Sequence, residues 1–101
     1  MLRVIIERQL KTGKREELMP LLKEMRAAAL QQPGYVTGET LVSTEDPSIL
    51  ATLSTWRSMD DWKAWENSEI RDKLTEKFGR LLSKKAKTTV YQISATEENK
   101  S

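Results

Sequence analysis

Residues 55–69 read Thr55-Trp56-Arg57-Ser58-Met59-Asp60-Asp61-Trp62-Lys63-Ala64-Trp65-Glu66-Asn67-Ser68-Glu69, and the local pattern changes twice inside them. Up to Trp56 the chain reads as a strand, running over 49–57. Ser58 then stands where a helix needs a cap, with Asp60 and Asp61 in the first turn, where carboxylates meet the positive end of the helix dipole. Trp62 and Trp65 are three apart, so they share one helix face. Asn67-Ser68-Glu69 repeats the capping signal and predicts that the helix breaks and restarts there.

Working outward, a stripe of Ile70, Leu74, Phe78, Leu81 and Leu82 predicts a helix over 69–83. Residues 86–94 form a last strand with Val90, Tyr91 and Ile93, and 95–101 are polar and expected to fray. On the other side, 35–44 read as a strand joined to 49–57 by the turn Glu45-Asp46-Pro47-Ser48, an antiparallel hairpin. Pro33-Gly34 closes a helix over 14–31 whose stripe is Leu18, Leu21, Leu22, Met25, Ala28 and Ala29. Pro20 lacks the donor for the Glu16 carbonyl and predicts a kink or a ragged first turn. Residues 2–10 are a first strand, ended by Thr12-Gly13. The order β-α-β-β-α-β predicts an α+β, ferredoxin-like domain over residues 1–95, with one four-stranded antiparallel sheet carrying two helices on one face. Residues 96–101 are then a tail.

Two-sided strands predict that the bare sheet face is also covered. In the first strand Leu2, Val4, Ile6 and Leu10 lie on one side and Ile5 on the other. In the third, Ile49, Ala51 and Leu53 oppose Leu50 and Trp56; in the second, Val36 and Val42 oppose Tyr35 and Leu41. A domain of 101 residues has a modest core. The same face of a second copy is the simplest cover, so a homodimer is expected.

Composition narrows the chemistry. The chain has no Cys and no His, which removes disulfides, Cys/His zinc sites, the usual haem ligand and the commonest general base. A Ser-His-Asp triad cannot be built, and no Gly-rich phosphate loop occurs among four glycines. Basic and acidic residues, 17 and 15, are interspersed, so nucleic acid is not an expected partner. Lys84, Lys85 and Lys87 form the densest basic spot and read as a solvated helix end. No apolar run reaches the ~20 residues of a membrane span, and a cytoplasmic location is expected.

The segment from Trp56 to Ser68, with Pro33-Gly34-Tyr35 and Gly13-Lys14, resembles the antibiotic biosynthesis monooxygenase family of dimeric α/β barrels over residues 2–93. That resemblance implies a cofactor-independent oxygenase acting on an aromatic or quinol-like molecule, without metal, flavin or haem. In such a reaction the substrate, once deprotonated, reduces O2 itself. The haem-degrading branch of the family combines an Asn on strand one, a Trp and a later His. Trp65 matches the Trp, but Glu7 and Thr75 stand at the other two places, so haem degradation is not expected.

The candidate catalytic residues are Trp65, Glu7 and Arg71. Trp65 is a pocket wall for a flat substrate, or a core residue, or both. Glu7 is a carboxylate within an apolar strand, where burial would make it a usable base; an edge-facing or paired Glu is the plainer reading. Arg71, six residues beyond Trp65, can hold an anionic oxygen or lie on a solvated face. Trp62 and Tyr91 are candidate substrate contacts, Trp62 with core packing as its simpler role. Tyr35 reads as packing, Trp56 as structural, and Asn67 and Ser68 as caps. The alternative function is a non-catalytic barrel module for a small hydrophobic ligand; a third is haem binding through a residue other than His.

Overall fold

A computed structural model describes residues 1–100. The elements are β1 (Leu2–Gln9), α1 (Arg15–Leu30), β2 (Tyr35–Val42), β3 (Ile49–Trp56), α2 (Met59–Glu66), α3 (Glu69–Gly79) and β4 (Lys87–Gln92). The strands form one sheet in the order β2-β3-β1-β4, every neighbour antiparallel. This is the expected ferredoxin-like arrangement, with the second helix in two pieces.

β1 has a hydrogen-bonded partner on each edge, so its pleat sets the faces of the whole sheet. Leu2, Val4, Ile6 and Arg8 are buried against the helices, opposite Trp56, Ser54, Thr52 and Leu50 of β3. The core has two lobes. Leu18, Leu22, Leu50, Leu74 and Phe78 anchor one; Leu2, Val4, Trp56, Trp62 and Trp65 anchor the other. Met25 of α1 and Ala86 pack against both. Trp56 is fully buried and stacks edge-on to Tyr35 and Trp62, with ring centroids 5.2 and 5.7 Å away. The edge-to-face arrangement sets positive ring edges against negative ring faces.

Both predicted caps form. Ser58 Oγ accepts from the Asp61 amide and Ser68 Oγ from the Arg71 amide, each at 3.2 Å. Asn67 closes α2 and Ser68 opens α3, so the helix turns between Trp65 and Arg71.

α1 runs through Pro20 as one element. Three local expectations change. The later helix stops at Gly79, and Leu81 and Leu82 are buried in the segment beyond it, Leu10 bridging to Leu82. Ile70 is 55 % exposed, since the restart rotates it out of the stripe. A bulge between Tyr35 and Thr37 shifts the register of β2, so Tyr35 and Val42 lie on the helix side, opposite Trp56 and Leu50, while Leu41 faces away. Simple alternation cannot register the extra residue of a bulge.

Gly34 sets the entry to β2. Its φ is +83°, and a Cβ there would overlap the Asp61 carboxylate. Its carbonyl accepts from the Arg57 amide at 2.8 Å, tying the end of β3 to the start of β2. Gly34→Ala is therefore expected to lower unfolding stability by about 1–3 kcal/mol, since both the left-handed backbone and the collision with Asp61 oppose it. Urea denaturation checks this, and a loss under about 0.5 kcal/mol would contradict the crowding seen at Asp61.

Candidate functional site

The unusual residue on the core face is Arg8. Alternation along β1 carries it to the side of Leu2, Val4 and Ile6, and it is only 5 % exposed. Its Nη1 donates to Thr52 Oγ1 at 3.2 Å, and its guanidinium carbon sits 4.6 Å from the centroid of the Phe78 ring. A guanidinium carries five N–H donors, so one hydrogen bond leaves most of them unused. Among the described residues no carboxylate pairs with it; the ion pairs are Lys14–Glu17, Lys63–Glu66 and Lys73–Glu69, each within one stretch of chain. Burial, and then repulsion from Arg71, pull the Arg8 pKa down to about 10. It remains a cation near neutral pH, held in the interior at a cost.

Arg71 comes from the first turn of α3, just beyond the second cap. Its guanidinium carbon lies 5.3 Å from the centroid of the Trp62 ring. Burial lowers its pKa, while Glu66 and Asp72 act in the opposite direction.

These two arginines separate two hollows between sheet and helices. One is a narrow cavity of about 60 Å³, with walls that include Tyr35, Thr52, Trp56, Trp62 and Trp65 as well as both arginines. Two polar atoms of residues lining it are buried without a partner: the indole N–H of Trp62 and the hydroxyl of Thr40. Buried polar groups are ordinarily satisfied, so these two atoms depart from the usual pattern. Burial raises the Tyr35 pKa, with Arg26 opposing, which keeps the phenol a donor rather than a base near neutral pH. The other hollow, about 410 Å³, shares Ile6, Arg8 and Arg71 and extends past Thr75 and Phe78 to Lys84 and Lys85.

Trp62, Trp65 and Arg71, three of the five residues singled out by sequence, line the narrow cavity together. Glu7 and Tyr91 do not. Glu7 is exposed and pairs in register with Ala51 and Lys87 on the opposite sheet face. The reason is geometric: Ile6 and Arg8 face the helices, so the residue between them must face away. Tyr91 is 55 % exposed and pairs with Arg3 on that same outer face. Arg8 was missed by sequence reasoning, although its parity with Leu2, Val4 and Ile6 was visible. Lys84 and Lys85, read as a helix end, border the wide hollow instead.

Comparison with known proteins gives a consistent picture. A profile of the antibiotic biosynthesis monooxygenase family matches residues 1–83. No curated protein matches by sequence. Among solved structures, a conserved protein from Methanosarcina mazei Go1 superposes with a TM-score of 0.86 at 23 % identity, covering 90 % of each chain. An antibiotic biosynthesis monooxygenase superposes at 0.85 with 17 % identity, over 94 % of this chain and 100 % of that one. A variant of SnoaB, a cofactor-independent oxygenase from Streptomyces nogalater, superposes at 0.84 with 12 % identity, over 94 % of each chain. At these identities the likeness is one of fold.

A lone buried cation should weaken the empty protein. Arg8→Met keeps an unbranched chain of similar reach and removes the charge, so it is expected to raise unfolding stability, by up to about 2 kcal/mol. The folded-state pKa of Arg8 lies below its unfolded value, so the unfolded chain binds more protons between the two. The cost of the charge is therefore fully present below pH 10 and is relieved as pH rises above it. The stability difference between wild type and Arg8→Met should be flat from about pH 5 to 9 and narrow above about 10. Denaturant melts of both proteins across that range check this; a variant less stable by more than about 1 kcal/mol would contradict the reading of Arg8 as an uncompensated charge.

Proposed function

The chain belongs to the antibiotic biosynthesis monooxygenase family, and from that premise we propose that it is a cytoplasmic, homodimeric, cofactor-independent monooxygenase of a small aromatic or quinol-like substrate. The observation that carries this reading is the narrow cavity in which Trp62 and Trp65 meet two guanidiniums, buried Arg8 and half-buried Arg71. The indole faces suit a flat ring, and the cations suit the negative charge that must form on it.

The substrate supplies all the electrons. A proton leaves an acidic C–H or O–H of the ring system, giving a carbanion or phenolate beside the guanidiniums. That anion passes electrons to O2 and a carbon–oxygen bond forms, giving a peroxide. Loss of water leaves a new carbonyl. One oxygen atom enters the product and the other leaves as water, while the substrate gives up two hydrogens. The protein's part is to lower the acidity barrier electrostatically and to keep the site dry. Glu39 is the one acidic residue along the narrow cavity, and its register places it on the outer face opposite Leu53. No side-chain carboxylate is thus assigned the proton, which is returned to the peroxide oxygen before water is lost. A space of 60 Å³ is smaller than the ~150 Å³ that accepts a benzene ring, so this reading requires lining side chains to shift as the ring enters.

The missing carboxylate base also favours a second reading, binding without turnover, and one assay decides between them. Oxygen uptake would be followed with a panel of anthrone- and hydroquinone-type substrates. Enzyme-dependent uptake is expected, with one atom of labelled O2 in the product and a fall of about 100-fold in kcat/KM for Trp65→Ala. An absence of uptake across the panel would remove the oxygenase reading and leave the binding module.

The homodimer is proposed on the outer sheet face, where Ile5, Ala51 and Leu53 are half-buried and Leu41 is 43 % exposed in a single chain. Ile5 and Leu53 are direct cross-strand neighbours, which makes one apolar patch of them. In sedimentation equilibrium the protein should show twice its 11.6 kDa chain mass, and Ile5→Lys with Leu53→Lys should reduce it to one chain. A monomeric wild type at about 50 μM would overturn the pairing.

A further inference from the structure

We propose that the natural substrate carries a permanent carboxylate apart from the ring that reacts, so that it is an aromatic acid whose anionic arm lies in the wide hollow between β1, α3 and β4. This deepens the reading above and rests on it for the placement of the ring. Four cationic residues, Arg8, Arg71, Lys84 and Lys85, border the hollow, and no Asp or Glu does. A concave site lined by one sign of charge concentrates the opposite charge there. The chain as a whole carries a net charge of only +2, so this one-sided lining is local.

Arg8 has no carboxylate acting on it, while Glu66 and Asp72 act on Arg71 only at a distance. Neither arginine guanidinium is ion-paired or hydrogen-bonded to a carboxylate among the described residues, and the single hydrogen bond of Arg8 goes to Thr52. Holding a 5 % exposed guanidinium without a counter-charge costs stability, which Thr52 and Phe78 offset only in part. An incoming carboxylate supplies that counter-charge, and a planar guanidinium offers it two parallel N–H donors. The remaining walls are Ile6, Phe78, Leu82 and Ala86, which suit carbon rather than a fully hydrated inorganic ion. Arg8 and Arg71 line both hollows, so one molecule can place its ring near Trp65 and its acid near Lys84 and Lys85.

The test is isothermal titration of the intact protein with 2-naphthylacetate and its neutral isostere 2-naphthylacetamide, without turnover. The acid is expected to bind about tenfold or more tightly than the amide. Arg8→Met should weaken the acid by about 30-fold or more and leave the amide within about threefold. Lys84→Gln with Lys85→Gln should weaken the acid by a smaller factor, about threefold, and flatten its dependence on salt. Denaturant melts of Arg8→Met and of the lysine variant separate lost binding from lost folding. Equal affinity for acid and amide, no binding of the acid, acid binding unchanged in Arg8→Met, or inorganic phosphate competing as well as the acid would each overturn the proposal. The two readings fail separately. Acid-selective binding without oxygen uptake removes the oxygenase and keeps the acid site; uptake on neutral quinols with no preference for the acid does the reverse.

Discussion

β1 is the strand on which the rest of the structure depends. It is hydrogen-bonded on both edges, so it can neither slip nor turn without breaking two ladders. Its pleat sends Leu2, Val4 and Ile6 into the core and commits Arg8 to the same side. The three aliphatic side chains provide the apolar burial that makes this orientation favourable. The guanidinium is carried in with them, against the preference of its own charge for water. Phe78 and Thr52 lessen that cost without removing it.

The break between α2 and α3 makes a second contribution from one hydroxyl. Ser68 caps α3, and the turn just ahead of it places Trp62, Trp65 and Arg71 around the same cavity as Arg8. In an unbroken helix, Trp65 and Arg71 would stand at a separation of six residues, well short of two full turns. The tryptophans are at the same time core residues, 1 % and 4 % exposed. Core and site are therefore one body of side chains: Trp56 supports Trp62, and Trp62 lies against the guanidinium of Arg71. A substitution at any of the three is expected to act on stability and on the cavity together.

The two faces of the sheet divide the work. The inner face holds buried charge, aromatic walls and polar atoms without partners, features that weaken a folded chain and suit a ligand. The outer face holds the aliphatic pairs Ile5–Leu53 and Leu41–Ala51, with Glu39 and Glu7 as their cross-strand neighbours. A position moved by one residue along β1 would exchange these roles, as the contrast between Glu7 and Arg8 demonstrates.

Much of this could be read directly from the chain. The α+β order, the hairpin, the two serine caps and the helix break follow from short-range rules: period of hydrophobicity, turn residues and the demand of a helix end for an acceptor. Trp62 and Trp65 were legible because they lie within the distinctive segment 55–69, and Arg71 because it follows that segment by two residues. Sequence alone left three matters to the tertiary structure. The bulge in β2 arises from how the strand meets β3, and it moved Tyr35 to the cavity side. α3 ends at Gly79, a poor helix former, and Leu81 and Leu82 beyond it are buried outside the helix, which the hydrophobic stripe alone did not separate. Above all, the importance of Arg8 over Glu7 depended on which face of β1 the helices cover and on where carboxylates stand in space. The sequence by itself determined the pleat, and so that neighbouring residues on β1 would part to opposite faces. Only the three-dimensional packing decided that the buried cation would have no counter-charge, because ion pairing is set by distances across the fold and not by order along the chain.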